Sequence, residues 1–98
     1  MELGLNDKVV LITGGARGIG AAAVKAFLNE KCNVVFVDQD SESGSELAKS
    51  SGSNVRFIEA KLNTPDSCRQ SVEKTVSFFG GIDVLVNNAG FNDGLGLE

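Results

Sequence analysis

The sequence predicts an α/β fold, a parallel sheet covered by helices on both faces. Three observations lead there: short β-branched apolar runs alternate with helix-like segments, a cluster of glycines separates the first run from the first helix, and no repeat or low-complexity linker interrupts the alternation. Four strands alternating with three helices imply right-handed β-α-β crossovers.

Lys8 to Thr13 is apolar with polar ends, which suits a strand buried on both faces. The glycines follow as "TGGARGIG". From Ile19 to Glu30, Ile19, Ala23, Ala26 and Phe27 recur at helical spacing as the expected inner face, with Lys25, Asn29 and Glu30 in water. Asn33 to Val37 is a second apolar strand ending at Asp38. The acidic, serine-rich "DQDSESGSE" leads into a short helix to about Ser50, with Ser41, Ser43 and Ser45 read as capping and loop residues. Asn54 to Ala60 forms a third strand with Val55, Phe57 and Glu59 on one side. Thr64 and Pro65 fit the cap and first turn of a helix that carries Cys68, Val72, Val76 and Phe79 at a spacing of three to four and stops at Gly80-Gly81. Ile82 to Val86 is a fourth strand that ends at "NNAG", and "FNDGLGLE" reads as loop. The expected whole is one Rossmann-type domain spanning 1–98, partial and truncated after the fourth strand, with strand order 3-2-1-4.

The bulk properties narrow the function. The chain has 98 residues, enough for one small domain, with 42% hydrophobic and 22% charged residues. A net charge of -4 without a basic cluster argues against nucleic acid and anionic lipid as partners. No stretch approaches a membrane span, and "MELGLNDK" lacks the basic start and apolar core of a secretion signal, so a cytoplasmic location is expected. Cys32 and Cys68 lie apart, with no histidine in the chain, so no metal-ligand spacing exists and both read as buried thiols. Histidine, tyrosine and tryptophan are all absent, which removes the commonest general base.

Glycines between a buried strand and a helix permit a tight turn, and the helix dipole adds partial positive charge, so the segment reads as a diphosphate cradle. The plainer reading is a turn used only for close packing. A Walker-type loop is excluded by Ala21, which stands where a lysine is needed after Gly20. A G-x-G-x-x-A reading through Gly18, Gly20 and Ala23 begins too far from the strand, whereas T-G-x-x-x-G-x-G starts at Thr13, where the strand stops. A receiver or flavodoxin-like module fits less well: only Asp38 and Asp40 approximate an acidic phosphoacceptor cluster, and the phenylalanines occupy core-like positions.

"TGGARGIG" together with "NNAG" at Asn87 to Gly90 resembles the N-terminal half of the short-chain dehydrogenase/reductase family, along essentially the whole chain. The closing "NNAGFNDGLGLE" is more narrowly similar to the L-fucose and L-rhamnose dehydrogenases of that family. The resemblance implies an NAD-dependent hydride transfer from a sugar or other secondary alcohol. Gly14, Ala16, Arg17, Gly18, Ile19 and Gly20 are the expected cofactor loop. Asn88, Ala89 and Gly90 are implied to line the adenosine ribose, while Asn87 braces the sheet.

Asp38, at the tip of the second strand, can accept hydrogen bonds from both ribose hydroxyls and so selects NAD, the plainer readings being an acidic turn residue for Asp38 and a strand-ending turn that touches no ligand for "NNAG". A 2'-phosphate about 4 Å from it would cost roughly 4 kcal/mol, or about a thousandfold in affinity. Arg17 could greet that phosphate, the plainer reading being a solvated loop charge. The family usually carries an aspartate after the third strand, where this chain has Lys61 followed by Leu62. Lysine cannot accept from the adenine amino group, so looser adenine binding is implied.

The family's serine and Y-x-x-x-K pair lie downstream of "NNAG", and no residue here is assigned as catalytic. Two function classes follow. In one, the chain is the NAD-binding part of a dehydrogenase whose catalytic segment lies elsewhere, inactive alone, with a small alcohol or sugar substrate only in a full-length form. In the other, it is a non-catalytic dinucleotide-binding or partner-docking module. An unpaired apolar edge on the fourth strand predicts self-association or pairing with a complementary half.

Overall fold

The computed structural model describes residues 6–16 and 18–88. In chain order the elements are β1 (Val9–Thr13), α1 (Gly18–Asn29), β2 (Asn33–Asp38), α2 (Ser41–Ser50), β3 (Val55–Glu59), α3 (Pro65–Phe79) and β4 (Val84–Asn87). All three strand pairings are parallel and the order is β3-β2-β1-β4. The expected architecture is therefore present, with boundaries displaced by a residue or two at most elements.

Strand parity sorts the core into two layers. Val10, Ile12, Val34, Phe36 and Val55 point to one face, where they meet Val24 of α1 and Leu47 of α2. Leu11, Val35, Val37 and Ile58 point to the other, where Phe79 at the end of α3 and Ile82 just beyond it help cover them. β1 is buried along its whole length, as a central strand sandwiched between helices must be. On the first face the Phe36 and Phe57 rings stack with centroids 5.1 Å apart. Gly44 of α2 lies directly on Phe57, where a Cβ would stand 2.7 Å from Cε2.

Caps account for the helix limits. The Asp40 side chain accepts the Ser43 N–H (3.0 Å) and starts α2. Ser41, Ser43 and Ser45 thus lie inside the helix, and Asp40, not a serine, is the cap. Thr64 and Ser67 form a capping box at α3, with Pro65 in the first turn. Gly80 ends α3 at φ 87, a left-handed conformation that suits glycine.

Two helix faces differ from the sequence expectation. In α1 the buried positions are Gly20 and Val24, with Ala23 and Phe27 half-buried; Ala26 is exposed, and Ile19 is 80% exposed. The first turn of α1 projects past the end of the sheet, so Ile19 has no apolar surface beneath it. In α3 the buried residues are Ser71 and Thr75, whereas Val72 and Val76 are 40% and 43% exposed. The hydroxyls satisfy themselves inside the helix: Ser71 donates to the Ser67 carbonyl (3.1 Å) and Thr75 to the Ser71 carbonyl (2.8 Å). Small self-satisfied residues let α3 approach the sheet closely. Of the two thiols, Cys32 is buried and Cys68 only partly so.

β4 forms one end of the sheet, paired with β1 through Val10↔Val84 to Thr13↔Asn87. Register places Leu85 beside Leu11 on the α3 face, yet Leu85 is 61% exposed because α3 packs over β1 and β2. Val72 and Val76 of α3 and Leu85 of β4 are thus exposed apolar side chains.

Candidate nucleotide-binding site

The predicted positions converge at the carboxyl ends of the strands. Gly14 follows β1, Asp38 closes β2, Lys61 and Leu62 follow β3, and Asn88 follows β4. This edge includes the crevice between β1 and β4, where the chain reverses the direction in which it adds strands, the place where open α/β sheets receive ligands. Arg17, Ala89 and Gly90 lie outside the described residues.

The glycine segment is a folded object. Gly14 takes φ 71 and Gly18 φ 59, both left-handed. The Gly14 and Gly15 N–H groups both donate to the Val37 carbonyl, at 2.6 and 3.3 Å. The Ala16 N–H donates to Asp38 Oδ2 at 3.1 Å. Three successive loop amides are thus committed to the end of β2. The remaining donors are those of the first turn of α1 around Gly18, Ile19 and Gly20, which by helix geometry have no intrahelical acceptor. Among the described residues of this segment, the amides of the glycine run are thus occupied by β2, and the open donors lie at the start of α1.

Gly20 is required for closeness. A Cβ there would overlap the Gly14 carbonyl oxygen and stand 2.9 Å from Asn88 Nδ2. Gly15 is similarly constrained, since a Cβ would lie 3.1 Å from the Phe36 ring carbons Cγ and Cδ2. From the β4 side, the Asn88 side-chain amide donates to the Gly14 carbonyl (3.1 Å) and its N–H to Thr13 Oγ1 (3.0 Å). Thr13 Oγ1 donates in turn to Asn87 Oδ1 (2.9 Å), so Asn87 does brace β1 against β4. The Asn88 side chain is engaged with the loop itself.

At the opposite edge Asp38 Oδ1 accepts the Asp40 N–H at 3.0 Å. Its carboxylate is partly exposed and retains lone pairs for a ligand. The Ala60 N–H donates to the Asp38 carbonyl (3.0 Å), which brings the β3 exit beside the β2 tip. Lys61 there is exposed, and Leu62 is half-buried against the α3-side core. The Lys61 carbonyl accepts the Asn63 N–H (2.9 Å).

The family model for short chain dehydrogenases matches residues 8–97. This chain belongs to the short-chain dehydrogenase family. It is 40% identical over 98 residues to a probable galactose dehydrogenase of Rhizobium meliloti, covering 96% of this chain and 38% of that protein. It is 42% identical over 87 residues to the L-fucose dehydrogenase of Mus musculus, covering 89% of this chain and 32% of that one. Among solved structures, a Serratia marcescens short-chain dehydrogenase/reductase superposes with a TM-score of 0.82 at 38% identity, over 88% of this chain and 37% of that chain. A Brucella melitensis 3-ketoacyl-(acyl-carrier-protein) reductase complexed with NADH superposes with a TM-score of 0.79 at 32% identity, over 83% of this chain and 33% of that chain. The chain spans about a third of the length of these relatives.

Sequence reasoning located every strand-end position but missed the main-chain partners. The Val37 carbonyl and the Ala16 amide carry no signal in residue type; only the tertiary approach of β1 to β2 creates them. Among the described residues there is no cluster of potential metal ligands and no helix long and apolar enough to cross a membrane.

Proposed function

We propose that this short-chain dehydrogenase chain binds NAD, with the diphosphate at the start of α1 and the adenosine ribose on Asp38. The observation that carries the reading is the Asp38 carboxylate, placed by β2 beside a glycine loop whose close packing leaves no room for a Cβ at Gly20. In this reading Gly14, Ala16, Arg17, Gly18, Ile19 and Gly20 form the diphosphate side. Lys61 and Leu62 flank the adenine, and Asn88, Ala89 and Gly90 close the ribose side from β4. The bound dinucleotide supplies a nicotinamide that accepts or returns hydride. This chain's own part is to hold and orient the adenosine half and to disfavour a 2'-phosphate through the Asp38 charge.

The reaction is the oxidation of a sugar or other secondary alcohol, in keeping with the galactose and fucose dehydrogenases among the relatives. The 98 residues contain no tyrosine or histidine, and in this reading the proton-transferring group belongs to a segment that complements this chain. The place of β4 at the end of the sheet, with Leu85 61% exposed, supports a complementary segment that pairs with β4. The second reading, a dinucleotide-binding or docking module without turnover, shares the same cofactor site.

Calorimetric titration of the chain with NAD and with NADP tests the proposal. Saturable NAD binding with clearly weaker NADP binding is expected; absence of binding by either would overturn it. Lys61→Asp is expected to tighten NAD by restoring an acceptor for the adenine amino group, and an unchanged or weaker affinity would remove Lys61 and Leu62 from the site.

A further inference from the structure

Asp38 is bonded in a way that ribose recognition does not require. Its two carboxylate oxygens are divided between two main-chain donors on different segments: Oδ2 takes the Ala16 N–H of the glycine loop (3.1 Å), and Oδ1 takes the Asp40 N–H (3.0 Å). Asp40 is itself the cap of α2 through Ser43. Gly14 and Gly15 are held independently by the Val37 carbonyl. Ala16 is therefore the position at which loop geometry passes from main-chain control to a single side chain, immediately before the chain enters α1. Ala16 is buried, so water is a poor substitute for the carboxylate there.

We propose that Asp38 is a positioning residue for the phosphate-binding loop as well as a ribose reader, latching Ala16 so that the first turn of α1 is aimed before any ligand arrives. The proposal rests on the cofactor reading for its meaning in binding, but the latch itself is a property of the unliganded chain. It follows that the carboxylate has two separable functions. Its charge discriminates against a 2'-phosphate, whereas its acceptor oxygens order the loop, and a neutral amide of the same shape loses the first and retains one acceptor for the second. Removing the side chain altogether relieves the repulsion and loosens the diphosphate site together.

The test uses amide hydrogen exchange on the unliganded 98-residue chain, taking the protection of the Ala16 amide relative to that of Val35 in the middle of the central strand β2. This ratio separates local release from general destabilisation. Asp38→Ala is expected to lower it by about tenfold, the loss of one charge-assisted hydrogen bond. Asp38→Asn keeps one acceptor oxygen for Ala16 but turns its NH2 toward the Asp40 N–H, and its ratio is expected to fall between those of the parent and Asp38→Ala. An unchanged ratio in Asp38→Ala overturns the latch, as does a fall in Asp38→Asn as large as that in Asp38→Ala. In the same preparations NADP is expected to bind Asp38→Asn about tenfold more tightly than Asp38→Ala; equal affinities would also count against the latch. The two readings fail separately. A fall in the Ala16 ratio in a chain that binds neither dinucleotide leaves the latch and removes the cofactor proposal. An unchanged ratio with NAD affinity lost in Asp38→Ala does the reverse.

Discussion

Replacing Gly20 by alanine should be the most damaging single-methyl addition at this site. A Cβ at that position overlaps the Gly14 carbonyl oxygen and stands 2.9 Å from both the Gly14 carbonyl carbon and Asn88 Nδ2. The obstructing atoms are mainly backbone, held by the hydrogen bonds of Gly14 to Val37 and of Asn88 to Gly14 and Thr13. No side chain can simply rotate away. Overpacking of this kind costs about 3 kcal/mol, the upper part of the usual range. The better helix propensity of alanine returns about 1 kcal/mol. The net loss is about 2 kcal/mol, which for a domain of this size lowers Tm by roughly 8 to 16 °C. Two controls separate close approach from generic glycine effects. Gly18 has open space around its missing Cβ but φ +59, so Gly18→Ala should lose only about 1 kcal/mol from the left-handed backbone. Gly81 has open space too, without the positive φ, and Gly81→Ala should leave stability within about 0.5 kcal/mol. Thermal and urea melts of the three variants give the ranking. A Gly20→Ala protein melting within about 3 °C of the parent would show that the loop and α1 are not locked together as described.

Gly44→Ala should also destabilise, by about 1 to 3 kcal/mol in urea melts, because its methyl meets a Phe57 ring that is itself stacked on Phe36; a neutral result would mean that the ring pair slides freely. Burial, reinforced by the negative charge of Glu30, raises the Cys32 thiol above its ordinary value of 9.0. The folded state thus favours the protonated thiol, and the corresponding stability is complete below pH 9.0 and declines as pH rises from there toward the higher folded value. Cys32→Ser, whose hydroxyl does not titrate in that range, should flatten the decline in chemical-denaturation midpoints, and an identical slope would refute the assignment. Leu85→Lys, at a position 61% exposed, should change stability by less than about 0.5 kcal/mol while reducing concentration-dependent association in sedimentation velocity. Association equal to that of the parent would exclude the β4 margin as the contact.

Topology was the most legible level of this sequence. Buried parallel strands leave continuous apolar runs, and the Gly, Asp and Asn residues that close them sit where local chemistry alone predicts a stop. The Thr64 cap, Pro65 and Gly80 delimited α3 at both ends for the same reason. Helix orientation was less legible. Apolar spacing in α3 pointed to Val72 and Val76, yet the face against the sheet is made by Ser71 and Thr75, whose hydroxyls bond within the helix. Periodicity reports where apolar residues are, not which of two neighbouring surfaces each will meet. Ile19 misled likewise, since its helical phase is compatible with burial but its place in the first turn, beyond the sheet, is not. In the candidate site, strand-end residues could be read from the sequence, while the commitment of three loop amides to β2 required coordinates.

The hydroxyl arrangement on α3 has a mechanical side. Because Ser71 and Thr75 donate to carbonyls of their own helix, and the other side-chain bonds of α3 close on its cap or first turn, no hydrogen bond among the described residues ties α3 to a particular axial position on the sheet. Arg56 of β3 reaches the end of α3, its guanidinium 5.4 Å from the Phe79 ring centroid and 5.9 Å from that of Phe78. A helix held in this way owes its seat to dispersion contacts and the cation–π contact of Arg56 rather than to hydrogen bonds with the sheet. The polar bonds of α3 are thus spent within the helix, and its place on the sheet is carried by side-chain shape, with Phe79 set against Leu11, Val35, Val37 and Ile58.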